Sequence, residues 1–482
     1  MINFRIIARI FSLMLIFEGL FMLVSAAVSL LYQEQSASSF FYSALITVVT
    51  GAIVFTPLRN EERTYGNKEG YIIVTGIWLI FSLFGTLPFL LSGSISCFGD
   101  AFFESMSGFT TTGATILTNI ESLPHGILFW RSLTQWLGGI GIIFISLSAF
   151  PFFKSINIQL TATEFSGQPT DKIHPRIKDA AKRLVTIYVL LTLTEVILLM
   201  IGGMPVFDAV CHSFSTLSTG GFSTRNNGVA AFASPYIMIV ITLFMFIAGT
   251  NLTLVYFGLK GNFKKIFGNN EFVFYTLICL IFALIGSAIL YYKAGFSSGK
   301  AILDGAFHVV SIITTTGFYT QNYNLWGNTI LILFFILMFT GGTAGSTSGS
   351  IKIVRLLLIT KNSRQELKRL IHPNAFIPVR LGKHIISQNI IYNLLVFITL
   401  YFIVMCLGTF VISIMGYDII TSFSTSASML GNIGPGIGTF GPFTNYSSLP
   451  MVGKWFLSGL MLLGRLELLT VIILFTRNFY KH

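Results

Sequence analysis

Apolar residues in this chain run in long blocks separated by short polar pieces. A helix needs about twenty consecutive apolar residues to cross a bilayer. Blocks of that size predict helices over 8–31 and 38–57. Four pairs of blocks follow, over 70–92 and 126–150, 182–202 and 235–258, 271–292 and 328–348, and 386–414 and 453–476. Ten spans result. Inside every pair lies a shorter stretch that starts apolar and ends in hydroxyl residues and glycine, too short to cross a bilayer.

These four inner stretches repeat one another. They run from Asp100 to Gly113, Asp208 to Gly221, Asp304 to Gly317 and Asp418 to Gly431, at one constant interval. A hydroxyl recurs at Ser107, Ser215, Ser311 and Thr425, and a second at Thr110, Ser218, Thr314 and Ser428. Four copies in register define an internal repeat. Asp is a good helix N-cap, and glycine can take backbone angles that other residues avoid. Non-helical backbone survives at membrane depth only inside protein or along a water-filled path. The stretches are therefore predicted to be re-entrant helices ending in loops. The predicted fold is an all-α polytopic membrane protein, with four span–pore-helix–span units around one pore and an N-terminal helix pair. The pair takes residues 1–66 and the units take 67–155, 156–268, 269–380 and 381–482. Four carbonyl loops on one axis would make a cation filter. Its residues would be Thr110, Thr111, Thr112 and Gly113; Ser218, Thr219, Gly220 and Gly221; Thr314, Thr315, Thr316 and Gly317; and Ser428, Met429, Leu430, Gly431 and Asn432. The competing reading is four polar loops with no common role.

Composition sharpens this picture. Only 10% of residues are charged and mean hydropathy is +0.78, against about 25% charged in soluble proteins. The net charge of +12 raises the question of nucleic acid, but its placement answers it. All 30 lysines and arginines except Arg131, Arg225, Lys293, Lys300, Lys454 and Arg465 lie at the termini or between units. Positive charge stays in the cytoplasm, so both termini are expected there, with the loops entering from outside. The N-terminal run lacks a cleavage site and is expected to remain as the first span. The basic segments Lys172–Arg183 and Lys352–Arg369 are expected to contact lipid headgroups or a cytosolic partner. Cys97, Cys211, Cys279 and Cys406 form no CxxC pair and are expected to be packing residues.

Each second span carries mid-helix glycine: Gly138–Gly139, Gly249, Gly341–Gly342 and Gly464. The third continues as Gly341, Gly342, Thr343, Ala344, Gly345, Ser346, Thr347, Ser348 and Gly349 within 340–352. So polar a run is not a stable lipid-facing helix. A flexible gate across the pore fits it, and so does close helix packing. Arg465 sits mid-span, where a charge costs several kcal/mol unless it meets water or a partner. It is read either as an electrostatic barrier in the pore or as an ion pair with Glu195, Glu18 or Glu467. Glu104, His212 and His308 share one repeat position and are expected to support the short helices from behind. No HExxH, phosphate-binding loop or nucleophile–base motif is present, so neither catalysis nor a bound nucleotide is expected.

The fourfold plan, the stretches TTTGAT, STGGFST, TTTGFYT and GGTAGSTSGSIK, and Arg465 resemble the Trk/Ktr/HKT superfamily of potassium transporters, most closely the membrane subunits of bacterial Trk systems. The resemblance spans essentially the whole chain. It implies potassium as the substrate, bound at the filter residues, with filter glycines at Gly113, Gly221, Gly317 and Gly431. The gate would be Gly341–Gly349 with Arg465 close by. A homodimer in the bacterial inner membrane and a cytosolic TrkA-like nucleotide-binding regulator are further implications. The fourth filter stretch, SMLGNIGPG, departs from the pattern of the others. An alternative function is potassium symport, with Glu18, Glu195 and Glu467 carrying protons. Within the superfamily, serine at the first filter glycine goes with sodium permeation. Gly113→Ser is therefore predicted to weaken discrimination against sodium in a flux assay; unchanged selectivity would count against the filter assignment.

Overall fold

The long apolar blocks form helices because a helix satisfies every backbone polar group within itself. The computed structural model describes residues 2–60, 66–148, 173–375, 377–382 and 384–480. Parts of the predicted loop at Arg59–Lys68, of the basic segment Lys172–Arg183 and of the span 126–150 lie outside these residues. The N-terminal pair is Phe4–Leu31 and Ser36–Leu58. Its seam holds small residues, including Ser12, Ser25, Ala26, Ser43 and Ala44, which let two backbones approach closely. Bulky Leu20, Tyr42, Leu45 and Ile53 are exposed.

The first unit has Asn67–Phe84, the inner helix Phe98–Phe109 and His125–Ser148. The second has Ile173–Ile201, the inner helix Val206–Leu217 and Pro235–Ala248. The third has Asn270–Lys293, the inner helix Ser298–Ile313 and Asn328–Leu337. The fourth has Gln388–Ile414, the inner helix Ile419–Gly431 and Met451–Arg465. The inner helices are exposed at their N-terminal ends and buried toward their C-terminal ends, so the protein core lies around those C-terminal ends.

Three second spans do not run as one helix; the break in the third was expected from its polar run, and the bends in the second and fourth were not. The second unit's turns by 112° into Leu252–Leu259, where Asn251 caps the new helix by accepting from Thr253 N at 2.8 Å. The fourth unit's turns by 110° into Leu469–Phe475. The third stops at Leu337, and the polar stretch after it runs without helix until Ile353–Ile371. Among the described residues, six helices alone are long and apolar enough to cross a bilayer, or eight if each bent pair is one span. The other two predicted spans correspond to His125–Ser148 and the interrupted Asn328–Leu337. One two-residue ladder, Arg380–Leu381 with His384–Ile385, lies outside the all-α plan.

Glu34 joins the N-terminal pair to the first unit. Its carboxylate accepts from the backbone of His125 at 2.5 Å and of Gly126 at 3.1 Å, at the start of His125–Ser148. The His125 ring also meets it at 2.9 Å and stacks on Tyr32 at 4.0 Å. A carboxylate at a helix N-terminus satisfies unpaired N–H groups and complements the helix dipole. Burial pushes the Glu34 carboxyl up, but the Gly126 and His125 amides, the His125 ring and the Ser36 hydroxyl outweigh it, and the carboxyl sits below its ordinary value of 4.5. A lowered folded-state value means the stabilisation is complete above the ordinary carboxylate range and is lost as pH falls through the lowered value. Glu34→Gln should cost about 1–2 kcal/mol at neutral pH. The gap from wild type should close below pH 4.5 in thermal unfolding of purified protein; a gap independent of pH would exclude this role.

Candidate functional site

All four inner helices end in the same turn. The chain leaves the helix, one residue takes positive φ, the next does not, and a glycine with positive φ follows. The first positive-φ residues are Thr111 (52°), Thr219 (55°), Thr315 (57°) and Asn432 (53°). The glycines are Gly113 (82°), Gly221 (78°), Gly317 (76°) and Gly434 (100°). Hydrogen bonds repeat with the angles. Thr112 N donates to Ser107 O at 2.8 Å, Gly220 N to Ser215 O at 2.8 Å, Thr316 N to Ser311 O at 2.9 Å and Ile433 N to Ser428 O at 2.9 Å.

These turns close a ring. A Cβ placed on Gly113 would lie 2.1 Å from Gly220 O, one on Gly221 2.0 Å from Thr316 O, one on Gly317 1.8 Å from Ile433 O, and one on Gly434 2.5 Å from Thr112 O. The chain of contacts returns to the first unit, so four strands surround one axis. Any side chain at these glycines would push a neighbouring strand away, and positive φ adds strain for any L-residue.

The ring corrects the fourth unit's register. Gly434, and not Gly431, occupies the position of Gly113, Gly221 and Gly317. Gly431 is the last residue of the inner helix Ile419–Gly431, one turn earlier. Met429 and Leu430 lie on that helix and are buried in hydrophobic packing. Ser428 matches Ser107, and Thr421 holds the place of Asp100. Asp418 instead caps the helix by accepting from Thr421 N at 3.2 Å. The remaining predicted residues of the first three units, Thr110–Gly113, Ser218–Gly221 and Thr314–Gly317, stand in the ring strands. Ile433 and Gly434 were missed, although Asn432 was included. Asn tolerates positive φ, so Asn432 with a glycine two residues on was the available signal.

Side chains stiffen the strands. The hydroxyls of Thr110 and Thr112 pair at 2.8 Å, as do those of Thr314 and Thr316. Asn432 Nδ2 donates to Thr112 Oγ1 at 2.9 Å, joining the fourth strand to the first. Behind the ring, Arg131 Nε meets Glu104 at 2.8 Å, Arg225 meets Asp208 at 2.8 Å and Lys454 meets Asp100 at 2.7 Å. Three of the six cations within the units, Arg131, Arg225 and Lys454, are thus paired beside the inner helices. His212 packs there too, with Nδ1 2.7 Å from Asp208 O and Nε2 2.9 Å from Ser223 Oγ. His308 Nδ1 lies 2.9 Å from Asp304 O. No group of three or more metal-ligating residues occurs among the described residues.

The polar stretch of the third unit packs against the C-terminal ends of the inner helices. Thr347 Oγ1 donates to Leu217 O at 3.0 Å, and Gly349 N to Thr315 Oγ1 at 2.7 Å. A Cβ on Gly349 would lie 2.3 Å from Gly431 O. Thr343 N donates to Gly249 O at 2.9 Å, at the break of the second unit's span. Lys352 Nζ reaches back to Ser346 O at 3.3 Å and also to Ser348 O. Arg465 is buried and donates to Thr347 O at 2.7 Å and to Gly138 O at 3.3 Å. Its contacts are backbone carbonyls and not the carboxylates considered as ion-pair partners. Glu467 pairs with Arg355 instead. Glu18 and Glu195 are buried. Glu271 accepts from Ala344 N at 2.5 Å, fixing the far side of the stretch.

The arrangement offers four backbone oxygens around an axis, at the C-terminal ends of four short helices. A helix C-terminus carries roughly half a negative charge, so the site favours a cation. Comparison with known proteins agrees. The chain matches the TrkH family, described as a cation transport protein, over residues 36–272 and 269–480. It is 38% identical to the Trk system potassium uptake protein TrkH of Salmonella typhimurium, over 99% of this chain and all of that one. The corresponding Escherichia coli protein is 37% identical over the same shares. The crystal structure of the potassium transporter TrkH from Vibrio parahaemolyticus superposes with a TM-score of 0.92 at 33% identity, covering both chains completely. Full-length likeness in sequence and in structure, together with the fourfold ring, establishes that the chain belongs to the TrkH family of cation transport proteins.

Proposed function

We propose that this chain takes up potassium across the bacterial cytoplasmic membrane, through the ring of four strands. The observation that carries the reading is the closed cycle of contacts from Gly113 through Gly221, Gly317 and Gly434. The oxygens of Thr112, Gly220, Thr316 and Ile433 replace part of the ion's hydration shell. The filter strands are Thr110–Gly113, Ser218–Gly221, Thr314–Gly317 and Asn432–Gly434. Ions move down their electrochemical gradient, and no covalent chemistry is required.

Gly341–Gly349 acts as the gate, lying across the ends of the inner helices in this structure. Arg465 places a fixed positive charge on its carbonyl at Thr347 and opposes a cation there. Opening requires the stretch to leave the helix ends and the guanidinium to leave Thr347 O. Both termini face the cytoplasm, a homodimer is the working unit, and a TrkA-like nucleotide-binding regulator acts on the gate. The names of the relatives, which refer to a Trk system and to potassium uptake, support this assignment.

The test is cation flux into liposomes containing the purified protein. Wild type should pass potassium and rubidium far better than sodium and lithium, with no need for a pH gradient. Arg465→Ala should raise potassium flux several-fold. Gly434→Ala, with its positive φ and crowded Cβ, should cost about 2–5 kcal/mol and abolish selective flux. Gly431→Ala should retain it, because its nearest contact is the flexible Ile433 side chain at 3.2 Å. Equal effects of the two alanines would contradict the ring register, and a requirement for a pH gradient would favour coupled symport.

A further inference from the structure

The four ring strands are alike in backbone but not in side chains. At the position before the ring glycine the first, third and fourth strands carry Thr112, Thr316 and Ile433, whereas the second carries Gly220. The first and third are also stiffened by a hydroxyl pair across this position. In the second, Ser218 turns back to Phe214 O at 2.7 Å and Ser215 O at 3.1 Å, as Thr110 and Thr314 turn back to Met106 O and Val310 O, but Gly220 offers no side chain to pair with it. Glycine has more conformational freedom than any other residue. Left alone, the second strand would be the loosest quarter of the ring.

Gln135 fills that gap. It lies on His125–Ser148, the second span of the first unit, and is fully buried. Its Nε2 donates to Gly220 O at 2.6 Å, and its Oε1 accepts from Phe222 N at 3.2 Å. The two bonds straddle Gly221. A Cβ on Gly220 would lie 2.4 Å from Gln135 Cδ, so the carboxamide occupies the volume that a side chain there would take. One turn earlier, Arg131 donates to Ser223 O at 3.2 Å and lies over the Phe222 ring at 4.2 Å. The same helix therefore grips the second strand at two successive turns. The fourth unit does this differently. A Cβ on Gly138 or on Gly464 would lie 2.0 Å from Phe109 O or Leu430 O, so Gln135 corresponds to Met461. There the ring residue Asn432 donates to Met461 O at 2.9 Å.

We infer that Gln135 is a specificity-determining positioning residue, whose carboxamide replaces in trans the side chain missing at Gly220 and fixes the direction of the Gly220 carbonyl. A carboxamide makes both bonds at any pH, which an ionised carboxylate cannot. A carboxylate has no donor for Gly220 O and would repel it, and an aliphatic side chain leaves Gly220 O and Phe222 N–H without their partners. A carbonyl has two lone pairs, so Gly220 O keeps one for an ion while accepting from Gln135.

The inference rests on the filter reading of the ring. Its test is the potassium-to-sodium flux ratio in liposomes for wild type, Gln135→Ala, Gln135→Glu, Gly220→Thr and the double variant Gln135→Ala/Gly220→Thr. Each single variant should lower the ratio roughly five- to tenfold, the change expected for losing one buried hydrogen bond. Gly220→Thr does so because its side chain collides with Gln135. The double variant should recover much of the ratio, because the threonine then occupies the vacated space and rebuilds the hydroxyl pattern of the first and third strands. A purely structural role would lower the melting temperature and leave the ratio of the folded protein unchanged. An unchanged ratio in folded Gln135→Ala or Gln135→Glu overturns the inference, as does a double variant no better than either parent. If Gln135→Ala does not fold, Gln135→Glu and the double variant still decide. If wild type itself does not discriminate potassium from sodium, the filter reading falls and this inference falls with it.

Discussion

A bilayer interior offers no water to backbone groups, and four stretches of non-helical backbone stand at the centre of this protein. Their tolerance depends on where the N–H groups go. Each strand turns its first amides back into the last turn of its own helix, as Thr112 N does to Ser107 O and Ile433 N to Ser428 O. The carbonyls of Thr112, Gly220, Thr316 and Ile433 are brought against the glycine of the adjacent strand, at distances only glycine permits. The rest of the structure holds this ring in place. Buried ion pairs and histidines brace the inner helices from behind, and the N-terminal pair is fastened to the first unit through Glu34. A buried pair such as Glu104 with Arg131 resists removal of either partner, because the remaining charge would be stranded in an apolar setting.

The broad plan was legible because long apolar blocks and short polar inserts leave few alternatives in a membrane. The first three strands were legible too, since the aspartate, the hydroxyls and the glycine all fall in register. The fourth strand was not. Asp418 looks like the repeat's aspartate but is only a helix cap, and Gly431 completes the familiar interval while still inside the helix. Thr425 and Ser428 fit that wrong register by coincidence, because the fourth inner helix is rich in hydroxyls. Interval alone could not choose between two glycines three residues apart. Backbone angle does, since Gly434 has positive φ and Gly431 does not.

The second spans show the same limit. Hydropathy placed them but missed the sharp bends at 249–251 and 466–468, because a broken helix and a straight one bury similar apolar residues. The polar stretch of the third unit was visible as a run of small residues. Its seat against Leu217 O, Thr315 and Gly431 depends on contacts between units that no local pattern encodes. Arg465 was found by the rarity of a charge at that depth. Its partner was not, because a backbone carbonyl leaves no mark in a sequence.

The central claim is that one ring, closed by Gly434, forms the ion path. Anomalous diffraction from crystals grown in rubidium tests it most directly. The account predicts an anomalous peak on the ring axis, within coordination distance of Thr112 O, Gly220 O, Thr316 O and Ile433 O. A peak centred on the carbonyls around Met429 and Gly431, or rubidium bound only away from the axis, would contradict it.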